Sequence, residues 1–340
     1  MRTVRIGSLT ATASDVLRSY WVFASERQRV YYSRLNGRLA PWTDDPVISR
    51  YRFTNAYRAA DRVSQDLIRV VYEGSQQPED VLLRVLLFRF FNKPSTWAAL
   101  EQARGVISWQ DFAVEDYSRI LDGMLARGER VYSAAYIVPP PPFGAVRKHR
   151  NHLLLVQHMM NSGLCGQLAR ARSLQAVFDA ISSFPSLGPF LAYQLTIDLN
   201  YSILVDFDED DFVAPGPGAR SGITKCFPDT GGVKAEEIIR WMTDTQEEQL
   251  DYFGQEFQDL FGRRLKLIDC QNLFCETDKY ARVVHPSSRG VGNRSRIKQQ
   301  FVPSAKAARP FFPPKWGING NVGKDCEPYP QSPAIPVIRH

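Results

Sequence analysis

The sequence predicts an all-α fold of two helical sets. Three observations carry this: apolar residues recur at helical spacing through most of the chain, the proline run at 139–142 separates two helical sets, and a tight helical hairpin sits at 184–190. Residues 14–36 read as an amphipathic helix rich in aromatic and Arg residues, ended by Asn36 and Gly37. In 55–72, Ala56, Ala60, Val63, Leu67, Ile68 and Val71 recur at helical spacing, and Gly74 closes the run. Pro78 opens the next helix, 79–91, which is apolar nearly all round and therefore a core candidate. Another helix is expected over 109–127, and residues 131–138 are the best strand candidate.

The second set comprises expected helices at 149–161, 173–183 and 190–203, an acidic, Gly-rich loop at 204–222, and long helices at 234–262 and 265–281. From Pro286 the chain is rich in Pro, Gly and Ser, with many cations and few acids. It divides into an N-terminal helical segment (1–44), a helical core (45–285) and a basic tail (286–340). The tail either lies against DNA or is disordered.

Bulk properties narrow the class. A net charge of +6 and a pI of about 9.0 permit a polyanionic partner without establishing one. The five cysteines contain no CxxC, which argues against a disulfide scaffold and against a four-cysteine zinc or iron–sulfur site. No metal and no cofactor is expected. The N-terminus lacks the apolar run of a signal peptide, and no stretch approaches membrane-spanning length, so an intracellular protein is expected.

The hairpin is the first candidate site. A turn at 185–188 precedes Pro189 at the start of a helix, and its free N–H groups could seat a DNA phosphate, with Gly188 allowing close approach. An ordinary corner between two helices is the alternative. Roughly twenty residues beyond Gly188 comes an acidic run in which Asp206, Asp208, Asp210 and Asp211 compete for one role. A carboxylate at a cleft mouth can stabilise a sugar cation or activate a nucleophile once a base is flipped out. Such a run would repel DNA unless it faced a cation or the reacting centre.

Next, Gly216 and Gly218 permit a backbone nest, and Arg220 adds an anion donor, although nothing matches GxxxxGK[ST]. On the expected 55–72 helix, Asn55, Arg58 and Arg62 would share a face, with Asp61 beside Arg58. They would either read base and phosphate or form a buried polar network. Glu276 and Lys279, three residues apart, are a surface pair or a cleft acid/base pair. His149 and His152 share a helical face with Lys148 and Arg150 nearby, which suits phosphate better than metal.

In combination these runs resemble a known family. NAYRAADR (55–62), YSAAY (132–136), GPFLAYQ (188–194), DFVAPGPGARSGI (211–223) and FCETDKYAR (274–282) look like the helical domain of the 5-hydroxymethyluracil DNA kinases and the α-glutamyl/putrescinyl-thymine pyrophosphorylases. That glycosylase-like branch is tied to thymine hypermodification in phage DNA. The resemblance covers residues 45–285 and implies an all-α, two-lobed helix-hairpin-helix, glycosylase-like fold with a central cleft that binds duplex DNA and acts on an everted pyrimidine.

The favoured expectation is a monomeric DNA glycosylase that excises a modified pyrimidine, as anti-phage defence would require. Asp208 or Asp211 would serve the sugar cation, with Asp206 in reserve. The alternatives are a pyrophosphorylase-type transferase, with Lys279 or Glu276 handling protons, and a non-catalytic reader of modified DNA.

Overall fold

A computed structural model describes residues 1–292, 294–302 and 309–323. Among the described residues the chain is mostly helical, with one two-stranded sheet. β1 (Arg2–Ile6) and β2 (Leu9–Ala13) form an antiparallel hairpin with Arg2 opposite Ala13 and Ile6 opposite Leu9. Its buried side, Val4, Ile6, Ala11 and Ala13, is only four small or β-branched residues, so the strand signal in the sequence is weak.

Fourteen α-helices follow among the described residues. The first half contains α1 (Asp15–Leu35), α2 (Pro46–Arg50), α3 (Arg62–Tyr72), α4 (Pro78–Phe91), α5 (Pro94–Arg104), α6 (Val114–Ala126) and α7 (Lys148–Asn161). The second contains α8 (Leu164–Arg170), α9 (Leu174–Ser182), α10 (Pro189–Asn200), α11 (Pro217–Cys226), α12 (Ala235–Asp244), α13 (Gln246–Tyr252) and α14 (Leu267–Val284). Side chains cap several starts: Ser14 accepts from the Val16 N–H, and Asp45 accepts from those of Val47 and Ile48.

Two hydrophobic cores result. One gathers the hairpin, α1, α2 and α11 to α14; the other gathers α4 to α9. α10 serves both: Tyr193, Ile197 and Tyr201 enter the first core, while Ala192, Leu195 and Leu199 enter the second. This is the reason a helix apolar nearly all round lies between two layers. The described part of the basic tail packs on the first core through Phe312, Ile318 and Val322, and Lys315 donates to the carbonyls of Ser202 and Val205.

Several expectations are corrected. Residues 131–138 form no strand; Val131 and Val138 are buried, Tyr136 takes φ +53°, and the Ser133 N–H bonds back to the Phe91 carbonyl. With no partner strand, the segment bonds to residues of and beside α4 and α5 instead: Thr96 donates to the Val131 carbonyl and Asn92 to that of Ala135. The 55–72 helix begins only at Arg62, after a 3-10 turn at Arg58–Ala60. The 234–262 helix breaks at Thr245 and ends at Tyr252, ahead of Gly254 at φ +64°. Much of the expected Gly-Pro loop is instead α11, with Pro217 in its first turn.

Candidate active site between the two cores

A buried ion network joins the two cores. Asp198 on α10 accepts from Arg58 Nη2 at 2.7 Å and from Arg89 Nη2 of α4 at 2.7 Å, and Arg89 Nε bonds its other oxygen. Arg58 Nε also donates to Gln194 Oε1 at 3.1 Å, while its backbone N–H donates to Asp269 at 2.7 Å. Arg58, Arg89, Gln194 and Asp198 are all buried. Two donors in this network, Arg58 Nη1 and Gln194 Nε2, have no hydrogen-bond partner among the described residues. Asn55, Arg58 and Arg62 therefore do not share a helix face: Asn55 precedes the 3-10 turn, Arg58 points inward, and Arg62 is exposed at the start of α3.

Beside this network lie two carboxylates. Asp61 accepts from the Asn55 N–H at 2.7 Å, and Glu276 accepts from the Thr54 N–H at 3.0 Å. Burial pushes the Asp61 carboxyl up to about 7; the Asn55 bond opposes this, and the nearby charge of Glu276 reinforces it. Arg27 of α1 straps the same segment, donating to the Thr54 carbonyl at 3.0 Å and to Asn55 Oδ1 at 2.7 Å. Burial lowers the Arg27 guanidinium to about 10, against the pull of Asp61 and Glu276. Lys279 reaches Glu276 at 3.2 Å, bonds the Arg52 carbonyl and lies 4.5 Å from the Phe53 ring centre. Glu276 and Lys279 are thus an internal pair, only partly exposed.

An aromatic wall stands over the network. The Tyr136 and Phe190 rings stack with centres 5.9 Å apart and planes 11° from parallel, and the Arg89 guanidinium lies 5.0 Å from the Tyr136 ring centre. Phe190, one residue after Pro189, presses on Gly216, where a Cβ would stand 2.5 Å from the ring. A Cβ on Gly218 would stand 3.0 Å from Cys275 Sγ, next to Glu276. These glycines therefore allow close packing at the start of α11. Gly188 faces open space, and Arg220 is exposed and pairs with Glu236 at 3.2 Å.

The acidic run meets cations of its own chain. Lys266 bonds Asp208 at 2.8 Å and Asp210 at 2.6 Å, Lys315 pairs with Asp206 at 3.2 Å, and buried Glu209 pairs with Arg263 at 2.6 Å. Partial burial would raise the Asp208 carboxyl, but bonds from Lys266 and the Asp210 N–H bring it below its ordinary value. Asp211 is exposed, and its carbonyl accepts from Arg240. Lys148 opens α7 and lies 4.7 Å from the Tyr132 ring centre. Asp198, Tyr136 and Phe190 were not singled out from sequence: Tyr136 and Phe190 sit inside motif runs whose members meet only in three dimensions, and Asp198 lies just beyond one. Among the described residues no cluster of three or more His, Cys, Asp or Glu could hold a metal ion, and no helix is long and apolar enough to cross a membrane.

Fold and site together describe a helical protein with a polar, aromatic-walled centre between two cores. Residues 14–290 match the family model "5-hmdU DNA kinase, helical domain", and the chain belongs to that family. Over 303 residues it is 29% identical to the 5-hmdU DNA kinase of Bacillus phage SP10, covering 82% of this chain and 46% of that protein. The chain thus spans about half the length of the curated relative it matches. No solved structure matches.

This overturns base excision. The relative is named for a kinase, a transferase that extends the nucleotide it acts on, whereas a glycosylase hydrolyses the bond holding the base. The glycosylase and hydrolase assignments are withdrawn.

Proposed function

We propose that this chain engages 5-hydroxymethyluracil in DNA and presents it for group transfer at the 5-substituent, leaving the N-glycosidic bond intact. The observation that carries the reading is the Asp61–Glu276 pair at the junction of the two cores. A carboxyl titrating near 7 is suited to accept a proton from an attacking oxygen or nitrogen at neutral pH. Transfer to the 5-hydroxymethyl oxygen requires that its proton leave as the new bond forms, and Asp61 is assigned that role. Glu276, held by Thr54 and Lys279, is assigned to keep the Asp61 carboxyl poised. The unpaired donors of Arg58 and Gln194 match the acceptor-rich edge of a uracil ring.

The α9–α10 hairpin beside this centre, with a core on each side of α10, supports a helix-hairpin-helix, glycosylase-like architecture put to a different reaction. In that architecture Gly188 and the α10 N-terminus face the DNA backbone.

The test is mass spectrometry of nucleosides from duplexes incubated with the protein. One duplex carries 5-hydroxymethyluracil with ATP present; another carries its phosphorylated form with an amine present. A heavier, still glycosidically bound nucleoside, lost in Asp61→Asn, supports transfer. Unchanged nucleosides in every arm, together with equal affinity for modified and unmodified DNA, would refute the reading.

A further inference from the structure

The loop that carries Tyr136 begins in a basic recess that the chemistry above does not use. This recess, of about 500 Å³, is lined by Arg130, Arg147 and Lys148 together with Tyr132, Leu125 and Val146. Its charge is one-sided. Arg130 is exposed and has no acidic partner among the described residues, and Lys148 has only the Tyr132 ring. Among the described residues the acid paired with its lining is Asp122, 3.8 Å from Arg147 and 3.3 Å from His149. His149 is buried, and burial lowers its pKa, so it adds no charge at neutral pH. No side chain caps the first turn of α7, which opens onto the recess at Lys148. Beneath, the floor is fixed: Tyr132 packs on Phe91 at 5.2 Å between ring centres, and its hydroxyl is 2.8 Å from His152 Nδ1.

Position gives the recess its meaning. Tyr132 and Tyr136 are four residues apart, so they are separated by at most about 14 Å of extended chain. A nucleotide held beside Tyr136 and Phe190 would leave its neighbouring phosphates within that reach. We propose that this recess is the seat of the DNA phosphates flanking the modified base, with Arg130, Arg147 and Lys148 as their cations. The inference rests on the reading of the central site given above. It assigns that site a strand direction: from the α9–α10 hairpin, across Tyr136, to the start of α7. Exposed Val146 and Leu125 at the rim suit the apolar edge of deoxyribose.

The test is salt-dependent binding of the full chain to a duplex with a single 5-hydroxymethyluracil and to its thymine twin. Arg130→Gln/Lys148→Gln is compared with wild type and with Arg5→Gln, an exposed cation on the distant hairpin. Loss of two phosphate contacts makes the slope of log K against log salt shallower by about 2 and weakens binding about tenfold or more, equally for both duplexes. Arg5→Gln leaves both unchanged. Thermal unfolding of each variant confirms that the fold persists. A wild-type protein that binds, with a double variant of unchanged slope and affinity, overturns the recess. A wild-type protein that binds both duplexes equally, with the slope change intact, upholds the recess and counts against selection of the modified base. A protein that binds neither duplex overturns both.

Discussion

Gly222 of α11 and Phe274 of α14 touch backbone to backbone: a Cβ built on Gly222 would stand 2.7 Å from the Phe274 carbonyl carbon and overlap its oxygen. One turn earlier, Gly218 meets the Cys275 side chain, where a Cβ would stand 3.0 Å from Sγ. The pair lets the two helices approach closely, and that contact sets where Glu276, two residues past Phe274, faces the site.

Gly222→Ala must therefore push α11 off α14. The expected loss is about 3 kcal/mol, at the upper end of overpacking costs, and should be read from urea denaturation. Gly188→Ala, in open space at the α10 N-cap, is the control and should cost no more than about 1 kcal/mol, the capping preference alone.

Asp198→Asn leaves two buried guanidinium groups, those of Arg58 and Arg89, without their counter-charge. Removing one partner of a buried ion network costs about 3–5 kcal/mol. A variant as stable as wild type in the same assay would mean that the network does not hold the cores together.

Asp61 gives stability a pH slope of known sign. Its folded-state value of about 7 lies above the unfolded value of about 4, so the folded protein keeps a proton that the unfolded chain releases. That contribution is full below about pH 4 and is lost as pH rises through 7. Asp61→Asn, permanently neutral, should gain about 4 kcal/mol relative to wild type across that window. Parallel stability curves for the two proteins would contradict the raised value.

Lys266 is expected to matter more to a carboxyl than to the fold. In Lys266→Met, the Asp208 carboxyl loses the bond that lowers it, so its NMR titration should move upward. Stability should fall by only about 1 kcal/mol, because Asp208 is well exposed.

Most of the helical frame was legible because long amphipathic or wholly apolar runs, such as those of α1 and α4, have one solution in water. Short elements were not: α5, α8 and the first hairpin bury too few residues to show a period. The acidic loop drew attention for its charge, yet charge in sequence does not reveal that Lys266, Arg263 and Lys315 arrive from 54 to 109 residues away to meet it. The reverse holds for Asp61. It is one acid among many until burial and Glu276 raise it, and both are properties of three-dimensional neighbourhood.

The described stretch 309–323 contributes Phe312, fully enclosed, to the same core as Trp21 and Phe274, yet it lies beyond residue 290, where the family match stops. Anyone trimming the chain at that limit for expression or fusion would uncap an aromatic cluster and remove Lys315, leaving the Ser202 and Val205 carbonyls without its ammonium. The boundary of shared ancestry is therefore a poor cutting point, and a piece meant to keep this core closed runs to Val322.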